Sequence, residues 1–463
     1  MKPKSTIPLG IFLIVVLVWA AACNLTNNNV PPTVVPRVTD TAQSPIDLET
    51  PVPPPIPQNN QANLNPSQAN PLTAKANMNA ILDQVDVDHL FMHVSALEAL
   101  GTRHVNSQDL PNSGVQAAYR YVRGQFDAIA AKSAGNFAVT EEPFSLTWAG
   151  VSTTQRNIIG TIPGTAIGGG VILLCAHYDS ISIDPNDGTY PAPGANDDGS
   201  GIAALIEMAN ILSQRKHGAS ILFVAFAAEE VGRMGSKAFV NEYLSKFAVN
   251  YVLNMDIIGS STGANGAIDD SHMRVFSAGP ESSPSRQLAR AVYWIDFSMV
   301  PDMQIELQDS EDRFGRYSDH MSFSEAGFPA IRFIESLEDR ARQHTPADVI
   351  GDVQATYLRR TTQAILAATV VLADGLPAPH NITLRPGEGT KRTLVWEPIP
   401  GATGYKIGLR DPGSLIINRE FPWNTNSVDW DGFYPQVVAG LVISAIDKNG
   451  MMGPPSPEFI VPP

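Results

Sequence analysis

The spacing of apolar positions divides this chain into stretches of different character. Between about residues 76 and 374, short runs that are apolar throughout alternate with runs whose apolar residues recur every three or four positions. Residues 171–175, 221–226, 251–255 and 330–334 are of the first kind, and they predict strands buried on both faces. Leu90, Val94 and Leu97 mark one amphipathic helix. Ile202, Leu205, Ile206, Ala209 and Leu212 mark a second, and residues 357–372 a third. Strands alternating with helices predict an α/β domain, its mostly parallel central sheet sandwiched by helices. Past residue 375 the pattern changes to short alternating strands between Gly/Pro turns, which predicts a small all-β sandwich over 375–463.

The first 75 residues follow neither rhythm. Lys2 and Lys4 precede an uncharged apolar run at 11–22, the length of a signal-peptide core and short of the ~20 residues a membrane-spanning helix needs. The run ends Ala20-Ala21-Ala22-Cys23. Small residues before a cysteine resemble a bacterial lipoprotein signal over 1–23, in which Cys23 is lipidated and becomes the new N-terminus. Ala20 departs from the usual leucine three positions before that cysteine, and ordinary secretion is the alternative. Either way the body is expected to be exported, to the extracellular or periplasmic face of a bacterial membrane. Residues 24–75 are rich in Pro, Asn, Gln and Thr, and such a segment buries too little surface to offset chain entropy. It reads as a disordered tether holding the body off a lipid bilayer.

The totals sharpen the picture slightly. The 463 residues exceed one ordinary core, which agrees with two folded units. A formal net charge of −15 excludes a nucleic-acid partner, which would require clustered Lys and Arg. The two cysteines, Cys23 and Cys175, cannot make a disulfide framework, and Cys175 within its apolar run reads as a small buried side chain.

Candidate chemistry gathers where the apolar runs end. His177 and Asp179 follow the first run, and i, i+2 spacing on extended chain puts both side chains on one face. Asp197-Asp198-Gly199-Ser200-Gly201 opens the next helix, where an N-cap with a tight glycine turn is the bland account. Glu229 and Glu230 end the 221–226 strand region, Asp256 ends the next run, and His344 begins the loop before the last helix. A lone strand-end histidine or paired surface carboxylates usually have no special role. Two histidines and several carboxylates converging on one sheet edge instead suit a two-metal hydrolase, with Zn²⁺ favoured and Co²⁺ or Mn²⁺ as alternatives.

Several stretches in this order resemble the two-zinc aminopeptidases of peptidase family M28, whose relatives include glutamate carboxypeptidase, glutaminyl cyclase and the transferrin-receptor ectodomain. They are Ala176-His177-Tyr178-Asp179-Ser180, Gly194-Ala195-Asn196-Asp197-Asp198-Gly199-Ser200-Gly201 and Ala228-Glu229-Glu230-Val231-Gly232 with Gly235-Ser236. Asn254-Met255-Asp256, Ser318-Asp319-His320 and His344-Thr345-Pro346 complete the set. The resemblance implies one zinc on His177 and Asp256, a second on Glu230 and His344, and Asp197 bridging both. It makes Asp179 the partner of His177 and Glu229 the general base acting on a water shared by the metals. It also implies a cis peptide at Asp197–Asp198, with Asp319 and His320 as supports. Some relatives carry tyrosine before the last histidine to stabilise the oxyanion; Gln343 stands here, which leaves Gln343 or Tyr317 for that role.

The implied activity is removal of residues from peptide or protein N-termini. A glutaminyl-peptide cyclase or carboxypeptidase of the same fold is an alternative, and so is a non-enzymatic receptor-like ectodomain. Leu394-Val395-Trp396-Glu397-Pro398 and the stretches around Tyr405 and Ile443 resemble a fibronectin type III domain, with Trp396 and Tyr405 as core anchors. Its expected role is a spacer or a contact with cell surface or polysaccharide; Trp423 and Trp430 are the candidates for stacking on sugars, against plain packing.

Overall fold

The computed structural model describes residues 54–57, 71–166, 169–300, 302–310 and 317–463. The expected signal at 1–23 and most of the expected tether lie outside the described residues.

Three helices come first: α1 (Pro71–Leu82), α2 (Val87–Glu98) and α3 (Val115–Lys132). A long hairpin follows, β1 (Ala138–Trp148) against β2 (Val151–Ile162). The alternating part contains β3 (Val171–His177), α4 (Gly199–Leu212), β4 (Ser220–Phe226), α5 (Met234–Ala238) and β5 (Val249–Met255). It continues through β6 (His272–Ser277), α6 (Pro284–Met299), β7 (Gln304–Leu307), α7 (His320–Glu325), β8 (Ala330–Glu335) and α8 (Ala355–Asp374). These strands form one eight-stranded sheet in the order β1-β2-β4-β3-β5-β8-β6-β7. Its centre, β4-β3-β5-β8, is parallel, as the apolar runs predict.

The flanks are antiparallel where β1 meets β2, β2 meets β4 and β6 meets β8. Those outer strands carry polar residues at exposed positions and so lack the continuous apolar signature. At the centre both faces are buried. Ile172, Leu174 and Ala176 of β3 join the large core that holds Leu205 of α4 and Leu358 of α8. Leu173 and Cys175 point the other way, into a cluster with Phe239 and Phe323. Phe223 and Ala225 of β4 alternate with Leu222 and Val224 in the same manner. Each large apolar side chain so buried contributes roughly 1.5–3 kcal/mol.

The C-terminal part contains β9 (Thr383–Pro386), β10 (Arg392–Val395), β11 (Gly404–Arg410), β12 (Arg419–Trp423), β13 (Ser427–Trp430), β14 (Gly440–Ile446) and β15 (Phe459–Ile460). They pair antiparallel in two sheets, β13-β10-β9 and β12-β11-β14-β15, around one shared core. Trp396 and Tyr405 anchor it edge to face, their ring centroids 5.0 Å apart. Trp430 is also core, packed on Phe433, so it is not free to stack on a sugar. Trp423 is partly buried and its indole N–H donates to the Ser427 carbonyl at 2.6 Å.

The expected tether differs from the structure at two places. Residues 54–57 lie against the sandwich: the Trp430 indole donates to the Pro55 carbonyl at 2.9 Å and Ile56 packs on the core. The first helix begins at Pro71, before the expected domain start at 76, because proline suits a first helical turn and Met78 and Leu82 have a core to enter.

The sandwich is joined to α6 by buried charge. Glu458 is 1% exposed and lies 2.8 Å from Arg290 Nη1 of α6 and 2.5 Å from Arg410 Nε of β11. The Trp294 indole of α6 donates to Glu420 at 2.6 Å, and Lys406 Nζ meets the same carboxylate at 2.8 Å. Removing the central carboxylate takes away the acid facing Arg410 and leaves Arg290 with Glu281 alone, and breaking such a buried pair costs up to about 3–5 kcal/mol. Glu458→Ala is therefore expected to lower the thermal midpoint, as read by calorimetry; an unchanged midpoint contradicts this account of the interface.

Candidate metal centre

The acid and imidazole groups that the sequence places at or after the ends of the apolar runs meet at the carboxyl end of the parallel strands. His177 ends β3, Glu229 and Glu230 follow β4, and Asp256 follows β5. Asp197 sits just before the α4 N-cap Asp198, and His344 lies in the loop between β8 and α8. That is where a parallel sheet gathers its ligands, since each strand end delivers a loop to the same rim. The loops turn sharply: Ala228, Ile257 and His344 all have positive φ, at 59°, 62° and 55°. The Asp197–Asp198 peptide is cis.

The distances fall into two groups around Asp197. Its Oδ1 lies 3.4 Å from His177 Nε2, and that nitrogen is 3.7 Å from Asp256 Oδ1. Its Oδ2 lies 3.1 Å from His344 Nε2, which is 3.0 Å from Glu230 Oε2. Glu229 Oε2 stands 4.0 Å from His177 Nε2. His177 Nε2, Glu230 Oε1 and Asp256 Oδ1 are buried with no hydrogen-bond partner among the described residues. Buried lone pairs aimed at one another are costly unless a cation sits between them. Two imidazoles and three carboxylates so arranged fit divalent ions that accept nitrogen and oxygen ligands. Asp198 also lies within reach of His177 and Asp256, but its oxygens already accept from backbone amides.

The electrostatics agree. Burial opposes charge on His177, yet the carboxylates of Asp179, Asp197 and Asp256 outweigh it and hold the imidazole well above its ordinary pKa. Glu230 above all raises His344, to about 11. The surrounding acids thus favour positive charge at both rings, which is where a bound cation would balance them. Burial pushes the Glu229 carboxyl well above the usual range, against the opposing pull of His177.

Comparison with known proteins identifies the group to which this arrangement belongs. The profile of peptidase family M28 matches residues 157–369. A probable zinc metalloprotease of Pyricularia oryzae is 32% identical over 427 residues, spanning 83% of this chain and 84% of its own length. The chain belongs to peptidase family M28. A probable zinc metalloprotease of Leptosphaeria maculans is 30% identical over 338 residues, covering 66% of this chain and 78% of its own. Among solved structures, the LapA aminopeptidase of Legionella pneumophila superposes with a TM-score of 0.53 at 23% identity, covering 65% of this chain and 76% of LapA. A glutaminyl cyclase of Porphyromonas gingivalis gives 0.50 at 20% identity, over 62% and 98% of the two chains. These two likenesses establish the fold.

In this M28 chain three further carboxylates hold the ligand loops by their backbone. Asp179 accepts from the amides of Glu229 and Glu230 at 3.0 and 3.2 Å, while its Oδ1 lies 3.6 Å from His177 Nδ1. Asp348 accepts from the amides of Asn196 and Asp197 at 2.8 and 2.9 Å. Asp198 accepts from those of His177, Gly201 and Ile257 at 3.1, 3.0 and 3.2 Å. The buried Arg103 joins two loops, with Nε donating to the Tyr178 carbonyl at 2.7 Å and Nη2 to that of Gly194 at 2.9 Å; Nη1 meets Pro193.

Arg103, Asp348 and Arg332 carry roles that the sequence reading did not assign. For Arg332 a signal existed: an arginine inside the apolar β8 needs a buried acid, and Asp256 Oδ2 lies 3.2 Å from it. Arg103 acts on carbonyls distant in sequence, which no local pattern announces. Asp319 and His320 are fully buried and do not line the cavity at the centre. Tyr317 lines it, whereas the Gln343 amide donates to Glu338 at 3.2 Å. Because Asp348 holds Asp197 through main chain alone, Asp348→Ala should weaken metal binding by about 10–100-fold while the fold survives. Chelator competition followed by metal analysis measures this, and wild-type retention would remove Asp348 from the supporting shell.

Proposed function

We propose that this chain is an exported zinc aminopeptidase. The observation that carries the reading is Asp197 facing His177 with one oxygen and His344 with the other, each imidazole beside its own second carboxylate. In this reading His177 and Asp256 would hold one zinc and Glu230 and His344 the other, with Asp197 serving both. When bound, the pair supplies Lewis acidity toward the peptide carbonyl and makes water a stronger nucleophile near neutral pH.

The chain's own groups do the rest. Glu229, buried at the cavity and fixed by its amide to Asp179, takes a proton at its carboxylate and returns it to the departing amine. Asp179 orients His177 and the Glu229–Glu230 turn together. In this reading Tyr317, on the cavity wall, serves as the donor to the developing oxyanion, since Gln343 is engaged with Glu338. Asp256 stays ionised because Arg332 and His177 outweigh the effect of its burial.

Glu229→Gln is expected to keep its metal and lose about 10²–10⁴-fold in kcat, as checked by metal analysis beside turnover of an unblocked peptide. Chelation should abolish turnover, and an N-acetylated peptide should resist cleavage. Equal hydrolysis of blocked and free N-termini removes the aminopeptidase assignment. The fold likeness to a glutaminyl cyclase supports a second reading, distinguished by whether a peptide beginning with Gln yields a pyroglutamyl product or a free amino acid.

Export and anchoring rest on the sequence of residues 1–23, with Cys23 as the lipidated residue. Cys23→Ser should end incorporation of labelled palmitate; unchanged labelling would sink the anchor. The two-sheet sandwich after α8 supports a fibronectin type III-like module.

A further inference from the structure

We propose that the cavity over the metal centre selects substrates with a carboxylate close to the scissile bond, read by Arg233 and Lys237. The proposal rests on the peptidase reading above and names its substrate class. Apart from the proposed ligands and Glu229, the walls of this cavity of about 220 Å³ are Gly232, Arg233, Lys237, Tyr317 and Arg332. No aliphatic side chain lines it among the described residues, so a leucine-like side chain finds little apolar surface there.

The three cations are not equivalent. Arg332 is engaged by Asp256. Arg233 has one unpartnered edge: Nη2 meets Glu325 Oε1 at 3.2 Å, while Nη1 is buried with no hydrogen-bond partner among the described residues. Its side chain is 12% exposed, whereas Glu325 is half exposed. The guanidinium carbon lies 5.9 Å from the centroid of the Tyr317 ring, a second support at the wall. The turn that places Glu229 and Glu230 also places this arginine, whose amide donates to the Glu229 carbonyl at 2.6 Å. One turn further along α5, the Lys237 amide donates to the Arg233 carbonyl at 3.0 Å, which sets the second charge on the same wall.

Charge balance gives the sign of the selection. Asp197, Glu229, Glu230 and Asp256 bring four carboxylates to the cavity, and two divalent ions offset them. Arg332, Arg233 and Lys237 then stand against Glu325 alone, which leaves the loaded cavity with excess positive charge. A carboxylate matches the unpartnered guanidinium edge in both charge and planarity. It has two sources: the side chain of an N-terminal Asp or Glu, or the free C-terminus of a dipeptide.

The test uses the zinc-loaded full chain and four peptides: Glu-Ala-amide, Met-Ala-amide, Leu-Ala-amide and Leu-Ala with a free C-terminus. A ratio of kcat/KM of about tenfold or more for Glu over Met assigns the side chain. The same ratio for free over amidated Leu-Ala assigns the terminus. Replacing both cations, Arg233→Gln with Lys237→Met, should cut the preference about tenfold, and Arg233→Lys should restore part of it. Calorimetry of the same peptides on Glu229→Gln reads the preference without turnover, and the affinity for the acid should fall with added salt. Ratios near one for both pairs, or a preference unmoved by the double replacement, overturn the proposal. Failure to cleave any peptide would instead overturn the peptidase reading, and the calorimetric preference would still decide this one.

Discussion

Concentrated negative charge in a buried place is the constraint around which this molecule is organised. Asp179, Asp197, Asp198, Glu229 and Asp256 are all under 10% exposed at one end of one sheet, with Asp348 beside them. Left uncompensated, such a group would ionise only at great cost. The compensation is divided by type. Asp179, Asp198 and Asp348 are satisfied by backbone amides, whereas Asp197, Glu230 and Asp256 face imidazoles. The first set uses its oxygens to fix loops, and the second keeps oxygens turned inward. Arg103 and Arg332, both fully buried, supply fixed positive charge at the periphery.

This division explains the backbone at the strand ends. A β-branched residue with positive φ is rare, yet Ile257 holds it immediately after Asp256. Its amide is taken by Asp198 at 3.2 Å and its carbonyl by the Glu335 amide at 2.8 Å. Both backbone groups being fixed, the residue cannot relax without breaking the loop that presents Asp256. Ala228, also at positive φ, comes just before Glu229, whose amide Asp179 holds. The strained positions lie beside the chemistry because the chain must turn abruptly there to aim a side chain across the sheet edge.

The sequence showed the parts whose signal is local. Strands buried on both faces have no polar alternation, so β3, β4, β5 and β8 stood out as unbroken apolar runs, and the acids ending them were conspicuous for that reason. The hairpin β1–β2 was invisible, since strands with an exposed face mix Thr, Glu and Gln with apolar residues much as loops do. At the site, the side chains that meet at the centre were legible, while the groups that hold them were only half so. Asp179 lies two residues from His177 and could be guessed; Arg103 works by reaching carbonyls of residues 178 and 194, a relation that exists only in the folded chain. Trp430 was open to either packing or sugar stacking because the 54–57 segment that covers it lies far away in sequence, and Phe433, three residues on, does not by itself decide between the two.

The C-terminal sandwich reads from sequence as a spacer, and a spacer needs only a linker to its neighbour. The interface argues for more. Glu458, near the end of the chain, is buried between an arginine of α6 and one of β11, and Arg290 also donates to the Leu415 carbonyl at 2.8 Å. Ions are not removed from water in this way at a casual contact, because the desolvation is offset only when geometry is fixed on both sides. The helix so fixed packs on β6, β7 and β8, and β8 carries Arg332 to Asp256. A rigid sandwich on α6 therefore restrains the flank of the sheet that supports one side of the metal centre. On this argument the domain belongs to the peptidase as a buttress, whatever its outer face contacts.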